Sequence, residues 1–323
     1  MYLDATKVRL SETKMSPRKA LFMLAGICLT FSLSRIALPC ACTKHGVVVI
    51  QQEEALERGT RPLGDGCYHV YLDVGANIGV HTRFLFEPYL YPSAEDAKRV
   101  FDAEFGEVRD NRDFCSFGFE PNPMHVAHHR KMEAAYQAAG WRYKFIPAGV
   151  SDHEGNMTFY KTNTQEESDR NDWGFSMVQR SDNTIPFLVP VLDLAEWIHK
   201  NIANRDIPRI VHGNYTKPKV VMKFDIEGAE YAMLPRLLFS GVFCSVIDLA
   251  FGEFHPLDAI HFERNQTTPE EGRGGIRPRS AEEAGLWRKW LLEEAFNTQT
   301  LQGCPGRWMM LDDEAYLTDN TPL

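Results

Sequence analysis

The sequence predicts a doubly wound α/β domain built on a mostly parallel sheet, and three observations predict it. Short runs rich in Val, Ile, Phe and Leu recur through residues 67–323 and are nearly continuous in apolar character, as strands buried on both faces of a parallel sheet are. Segments with helix-start signals alternate with these runs, the pattern of a sheet wrapped by helices. The first run ends in a glycine turn that leads straight into a helix-like stretch. With 323 residues, the chain has room for one such domain and an N-terminal extension.

The extension reads as an address. Residues 1–19 form a leader of net charge +3, and residues 20–33 carry no formal charge. Apolar character continues to residue 39, giving a stretch of about 20 residues, enough to span ~30 Å of hydrocarbon. We expect a transmembrane signal anchor over 20–39, a cytoplasmic N-terminus and a body in the lumen of the secretory pathway, because positive charge stays on the cytoplasmic side. Cleavage as a signal peptide, giving a secreted body, is the alternative. Residues 40–66 read as a stem or linker with one strand-like piece at 47–50. The net charge is -9 in all, so the chain beyond the leader is acidic, which argues against a nucleic-acid partner. Sequons at Asn156, Asn214 and Asn265 are usable in a lumenal body. The seven cysteines include no Cys-x-x-Cys, so neither the usual zinc spacing nor a thioredoxin-type pair is present, and the redox compartment stays open. Cys40 and Cys42 read as unpaired or loosely paired thiols near a membrane.

Within the domain (67–323) the strand candidates are residues 69–74, 117–120, 144–147, 220–225 and 245–251. Asn122 before Pro123 marks a helix start. Asp193 with Glu196, and Ser280 with Glu283, resemble capping boxes. Trp287, Trp290 and Leu291 fall on one face of the last helix. Three stretches break the rhythm as insertions, around 89–115, 162–190 and 255–279, and loops of that length are often functional.

Ligands of such sheets bind beyond the carboxyl ends of the strands. The first strand ends in Asp73, and Gly75 and Gly79 allow a tight turn and close backbone approach around Asn77. The helix behind them offers free N–H groups to a carboxylate or phosphate. The pattern is not the dinucleotide Gly-x-Gly-x-x-Gly. At the second strand end Glu120 offers two acceptor oxygens, suited to the paired hydroxyls of a ribose. The third ends in Ser151 and Asp152, where an adenine edge could be read, and the fourth carries Lys223, Asp225, Glu227 and Glu230.

Taken together, DVGANIG (73–79), FEPNP (119–123), GVSDHEG (149–155), VLDLAEWI (191–198) and KFDIEGAE (223–230) resemble the FkbM-type S-adenosylmethionine-dependent methyltransferases, in order, over about residues 68–255. The resemblance implies a class I methyltransferase fold (Rossmann-like) with S-adenosylmethionine as methyl donor. By position it gives the 73–79 loop to the methionine end of the donor, Glu120 to the ribose, and Ser151 with Asp152 to the adenine. The expected activity is O-methylation of a sugar, glycan or other small hydroxylated molecule.

For proton removal from an acceptor hydroxyl the candidates are Asp225, His255, Glu227 and Glu253, with Asp225 first and His255 the natural base at neutral pH. The same four side chains could hold a divalent metal, but a hydrogen-bonded polar cluster is the preferred reading and no metal is expected. His125, His128 and His129 read as a solvated helix face rather than a zinc site. Trp173 and Phe175 read as a lid or sugar-stacking surface, or as anchors of a hairpin. Two other functions remain in view at this stage: a nicotinamide-dependent oxidoreductase, disfavoured by the missing third phased glycine, and a membrane-tethered binding module without turnover.

Overall fold

A computed structural model describes residues 41–44, 47–50, 61–179, 181–255, 280–295 and 304–311. The expected anchor at 20–39, and most of the expected 255–279 insertion, lie outside the described residues. Among the described residues no helix is long and apolar enough to cross a membrane.

In chain order the strands are β1 (Ala41–Lys44), β2 (Val47–Ile50), β3 (His69–Val74), β4 (Phe114–Phe119), β5 (Arg142–Ile146), β6 (Gly149–Ser151), β7 (Gly155–Thr162), β8 (Thr184–Asp193), β9 (Val220–Phe224), β10 (Leu249–Gly252) and β11 (Arg307–Met310). The helices are α1 (Val80–Phe86), α2 (Glu95–Phe105), α3 (Val126–Ala138), α4 (Gln165–Asp169), α5 (Leu194–Ile198), α6 (Glu230–Phe239), α7 (Val242–Val246) and α8 (Ala281–Lys289).

Six strands form a parallel sheet in the order β11-β10-β9-β3-β4-β5, so the fold is α/β with a Rossmann-like sheet. Chain direction across the sheet reverses between β3 and β9, which places a crevice at their carboxyl ends. Alternate residues of each strand face opposite sides, and both sides are covered. Leu72, Phe117 and Met222 pack with Ile198, Leu234 and Phe243 on one face. Tyr71, Phe145 and Val221 pack with Phe84, Phe101 and Met132 on the other.

The structure departs from the sequence expectation in three places. Residues 245–246 are helical, closing α7, and the strand begins only at Leu249. The stretch 89–115 is not a plain insertion: it holds α2, whose Ala97, Val100 and Phe101 are buried while Glu95, Asp96 and Asp102 lie toward the outside, and the start of β4. The stretch 162–190 is largely a hairpin, with β7 and β8 antiparallel from Gly155↔Val191 to Thr162↔Thr184. That hairpin belongs to a second, five-stranded sheet with β1, β2 and β6. Two disulfides, Cys67–Cys115 and Cys244–Cys304, settle a pairing that the sequence left open, joining cysteines that lie 48 and 60 residues apart.

The expected helix starts are present. Asn122 Oδ1 accepts from the Met124 N–H (3.0 Å), Asp193 Oδ1 from the Glu196 N–H (3.0 Å) and Ser280 Oγ from the Glu283 N–H (3.1 Å). In the last helix Leu291 is buried and Trp287 packs against the core, whereas Trp290 is partly exposed beside Phe239.

Candidate active site

A cleft of about 370 Å³ opens at the carboxyl ends of β3, β4, β9 and β10. Its floor is the loop after β3. Gly75 has φ 79°, and a Cβ there would come within 1.8 Å of the Asp225 carbonyl oxygen, so the loop can lie against the end of β9 only because this residue is glycine. The Gly75 and Ala76 N–H groups donate to the Phe119 carbonyl (3.1 and 2.9 Å), tying the loop to the end of β4 as well. At Gly79, φ 80°, a Cβ would strike Met132 of α3.

Asn77 also sits at positive φ (46°), uncommon for a residue with a side chain. Its N–H donates to Glu120 Oε2 (2.8 Å), its carbonyl bonds His129 Nε2 (2.6 Å) and its Nδ2 donates to the Asn171 carbonyl (3.3 Å). Asn77 Oδ1 is buried without a partner. Glu120 accepts a second backbone N–H, from Asn122 (2.7 Å), and is buried. Burial pushes its carboxyl up to about 7 against the pull of these two donors.

Asp73, which the resemblance gives with the loop to the methionine end of the donor, lies behind the loop. It is fully buried, its Oδ2 accepts from the Thr82 N–H (3.2 Å) and hydroxyl (2.9 Å), and it does not line the cleft. Its Oδ1 has no partner, and burial raises its pKa despite the nearby Lys223 ammonium. Ser151 and Asp152 do not line the cleft either, because β6 turns them into the second sheet, where Ser151 pairs with Asp193 and donates to Asp152 (3.1 Å). Gly149 and Val150, just before them, do line it, with Phe159, Trp173 and Phe175 of the second sheet and its hairpin. Phe175 stacks on Phe159 (5.5 Å, 19°), so the aromatic pair anchors the hairpin and bounds the cleft at once.

Opposite the loop stand the four residues expected to handle protons. His255 Nδ1 bonds Glu230 Oε1 (2.8 Å), and its Nε2 lies 3.7 Å from Asp225, 3.4 Å from Glu227 and 3.5 Å from Glu253. Glu230 is fully buried and also accepts the Gly228 N–H (2.8 Å) and the Ile226 N–H (3.2 Å). Burial works against charge on His255, but the Glu230 hydrogen bond and the surrounding carboxylates outweigh it and raise its pKa to about 10. His255 is therefore an imidazolium at neutral pH, not the free base expected. Asp225 is also opposed by burial, yet Lys223 and His255 hold it below its ordinary value. Lys223, itself buried, bonds the Gly75 carbonyl (2.9 Å) and Asp225 Oδ2 (3.3 Å), which links the loop to the acidic wall. Donor atoms of Asp225, Glu253 and His255 lie within 4.8 Å of one another.

The histidine face is not solvated. His129 is fully buried, bonded to Asn77 and to the Tyr143 hydroxyl (2.7 Å), and His128 bonds the Ile78 carbonyl (2.9 Å). Burial holds His125 and His129 neutral, at about 4 and about 3. These rings support the glycine loop from below. The i, i+4 spacing of 125 and 129 was the available signal, since it also puts two side chains on the buried face of α3.

Residues 73–297 match the methyltransferase FkbM domain, more than half of the chain. Among solved structures, a methyltransferase FkbM from Methylobacillus flagellatus KT is similar at 14% identity and a TM-score of 0.26, over 54% of this chain and 30% of that one. This chain thus spans under a third of that protein's length. A comparison with curated proteins finds no match.

Proposed function

The chain belongs to the FkbM methyltransferase family, and on that premise we propose that it uses S-adenosylmethionine to methylate a hydroxyl on a sugar, glycan or other small molecule. The observation that carries the reading is the junction of the glycine loop with buried Glu120 inside one cleft. The cleft fits the donor. Asn77 lines the cleft and its Oδ1 is buried and unpartnered, so the loop carries unspent acceptor capacity where a cationic amino acid would lie. The loop backbone and Glu120 would hold the methionine and ribose parts, and the backbone of 148–150 with Phe159 would border the adenine. Bound there, the donor supplies an activated methyl group. The chain's part is to orient donor and acceptor and to receive a proton. Asp225, Glu227 and Glu253, organised around the His255 cation, form a polar wall suited to acceptor hydroxyls.

Calorimetry with S-adenosylmethionine and S-adenosylhomocysteine tests this. Wild-type protein should bind both, and Glu120→Ala should lose about 1–3 kcal/mol of binding, the cost of removing charged hydrogen bonds from a buried site. Undiminished affinity in that variant would sink the ribose assignment. The methyltransferase family sets the nicotinamide alternative aside.

The N-terminal segment completes the proposal: residues 20–39 anchor the chain and the catalytic body lies in the lumen. In support, the leader is basic, two disulfides suit an oxidising compartment, and the sequon residues Asn156 and Asn214 are exposed. Alkaline carbonate extraction should leave the protein in the membrane pellet, and glycosidase treatment should shorten its apparent mass. A soluble, glycosidase-resistant product would refute both.

A further inference from the structure

The cleft wall holds a second histidine that the sequence reading passed over. His81 is the second residue of α1, two positions beyond Gly79, and its side chain lines the cleft between the glycine loop and the Asp225 wall. Its ring packs edge-on against Phe84 (5.1 Å, 63°). Neither ring nitrogen has a hydrogen-bond partner among the described residues, whereas the rings of His128 and His255 are hydrogen-bonded and that of His129 is held at both nitrogens. The neighbouring polar groups are already engaged: Glu120 with two backbone N–H groups, Asp225 with Lys223, and His255 with Glu230.

Resting on the methyl-transfer reading above, we propose that His81 is the catalytic residue that hydrogen-bonds the acceptor hydroxyl and takes its proton. In the step, a lone pair of the acceptor oxygen forms the new O–C bond to the donor methyl carbon. The S–C bond breaks, its electron pair stays on sulfur, and the hydroxyl proton passes to the free imidazole nitrogen. The resulting imidazolium later returns the proton to water. The surroundings keep the ring ready for this. Burial and the Lys223 ammonium hold His81 neutral, at about 3, and Asp225 opposes them. Such an imidazole is a weak base, but the hydroxyl proton becomes far more acidic than an imidazolium as the O–C bond forms, so its transfer to the ring is downhill. His255 cannot take this part, since Glu230 and the carboxylates keep it charged.

The test uses full-length protein saturated with S-adenosylhomocysteine and labelled with carbon-13 at histidine. The His81 signal is assigned by its loss in His81→Asn. It should show a neutral ring throughout pH 5 to 8, and this arm needs no acceptor. In the second arm, methyl-tritiated donor is supplied with a pool of released oligosaccharides. His81→Ala should lower incorporation about 100-fold or more, keep S-adenosylhomocysteine affinity within about threefold, and recover part of its rate with added imidazole. A His81 ring that titrates above pH 7, wild-type turnover in His81→Ala, or a loss that imidazole leaves untouched would each overturn the assignment. So would lost S-adenosylhomocysteine affinity in His81→Ala, which would move the residue to donor binding. Absent S-adenosylhomocysteine affinity in the wild type is a different outcome: it removes the methyl-donor reading itself.

Discussion

Two ionisable side chains in the cleft carry opposite pH signatures. His255 has its folded pKa raised to about 10, above the ordinary 6.5. The stability it contributes is therefore fully present below pH 6.5 and lost as pH rises from there through 10. Thermal melts across this window should fall for the wild type and fall less for Glu230→Gln, which removes the main partner of the imidazolium. Identical profiles would mean that His255 is uncharged. Glu120, raised to about 7, acts on binding instead. Ribose hydroxyls donate to the ionised carboxylate, so donor affinity should be weaker at pH 6 than at pH 8, by up to about tenfold for one coupled proton. Glu120→Gln should flatten that dependence, as read by calorimetry at the two pH values.

Among the elements, α3 makes the clearest prediction. His129→Phe keeps the stacking on Phe145 (4.3 Å, 9°) but removes the bond to the Asn77 carbonyl and leaves the Tyr143 hydroxyl without its partner. We expect a loss of about 1–3 kcal/mol in urea unfolding, and weaker donor binding as the loop loosens. Because burial depresses the folded pKa of His129 to about 3, its contribution is present above pH 6.5 and lost as pH falls from there toward 3. The wild type should accordingly be the more acid-sensitive of the two. The same helix shows where the sequence stops being legible. β3 could be read to the residue, since His69–Val74 is buried throughout and announces itself by apolar continuity. A buried histidine is written with the same letter as a solvated one, and only the Asn77 and Tyr143 partners tell them apart. β8 was missed because it carries Pro186 and Pro190 and is mostly half-buried, giving neither a continuous apolar run nor a clean alternation. In α2, the charged outer face hid a buried inner one. At the strand ends the glycine loop and Glu120 were readable from residue type alone. His81 was not, because its value lies in hydrogen bonds it does not make.

Across the whole molecule, two covalent pins hold what the hydrogen bonds arrange. Cys67–Cys115 joins the entrance of β3 to β4 inside the core, and Cys244–Cys304 joins α7 to the approach of β11. Each should contribute about 2–4 kcal/mol, so reductant should lower the melting temperature of the wild type. Cys304→Ser alone should reproduce part of that drop, and a melt indifferent to reductant would refute both contributions. Beyond β11, the Leu311 N–H donates to the Gly252 carbonyl (3.0 Å), and Leu311 lines the cleft. This has a consequence for the order of manufacture. Every donor-side residue and the acidic wall leave the ribosome before residue 304, while Leu311 at the border of the cleft follows β11. A nascent chain halted short of Cys304 would thus already hold its cofactor loop, Glu120 and the acidic wall, yet lack Leu311 and the second disulfide. Such a truncated product is expected to bind S-adenosylhomocysteine and to melt at a lower temperature than the full chain.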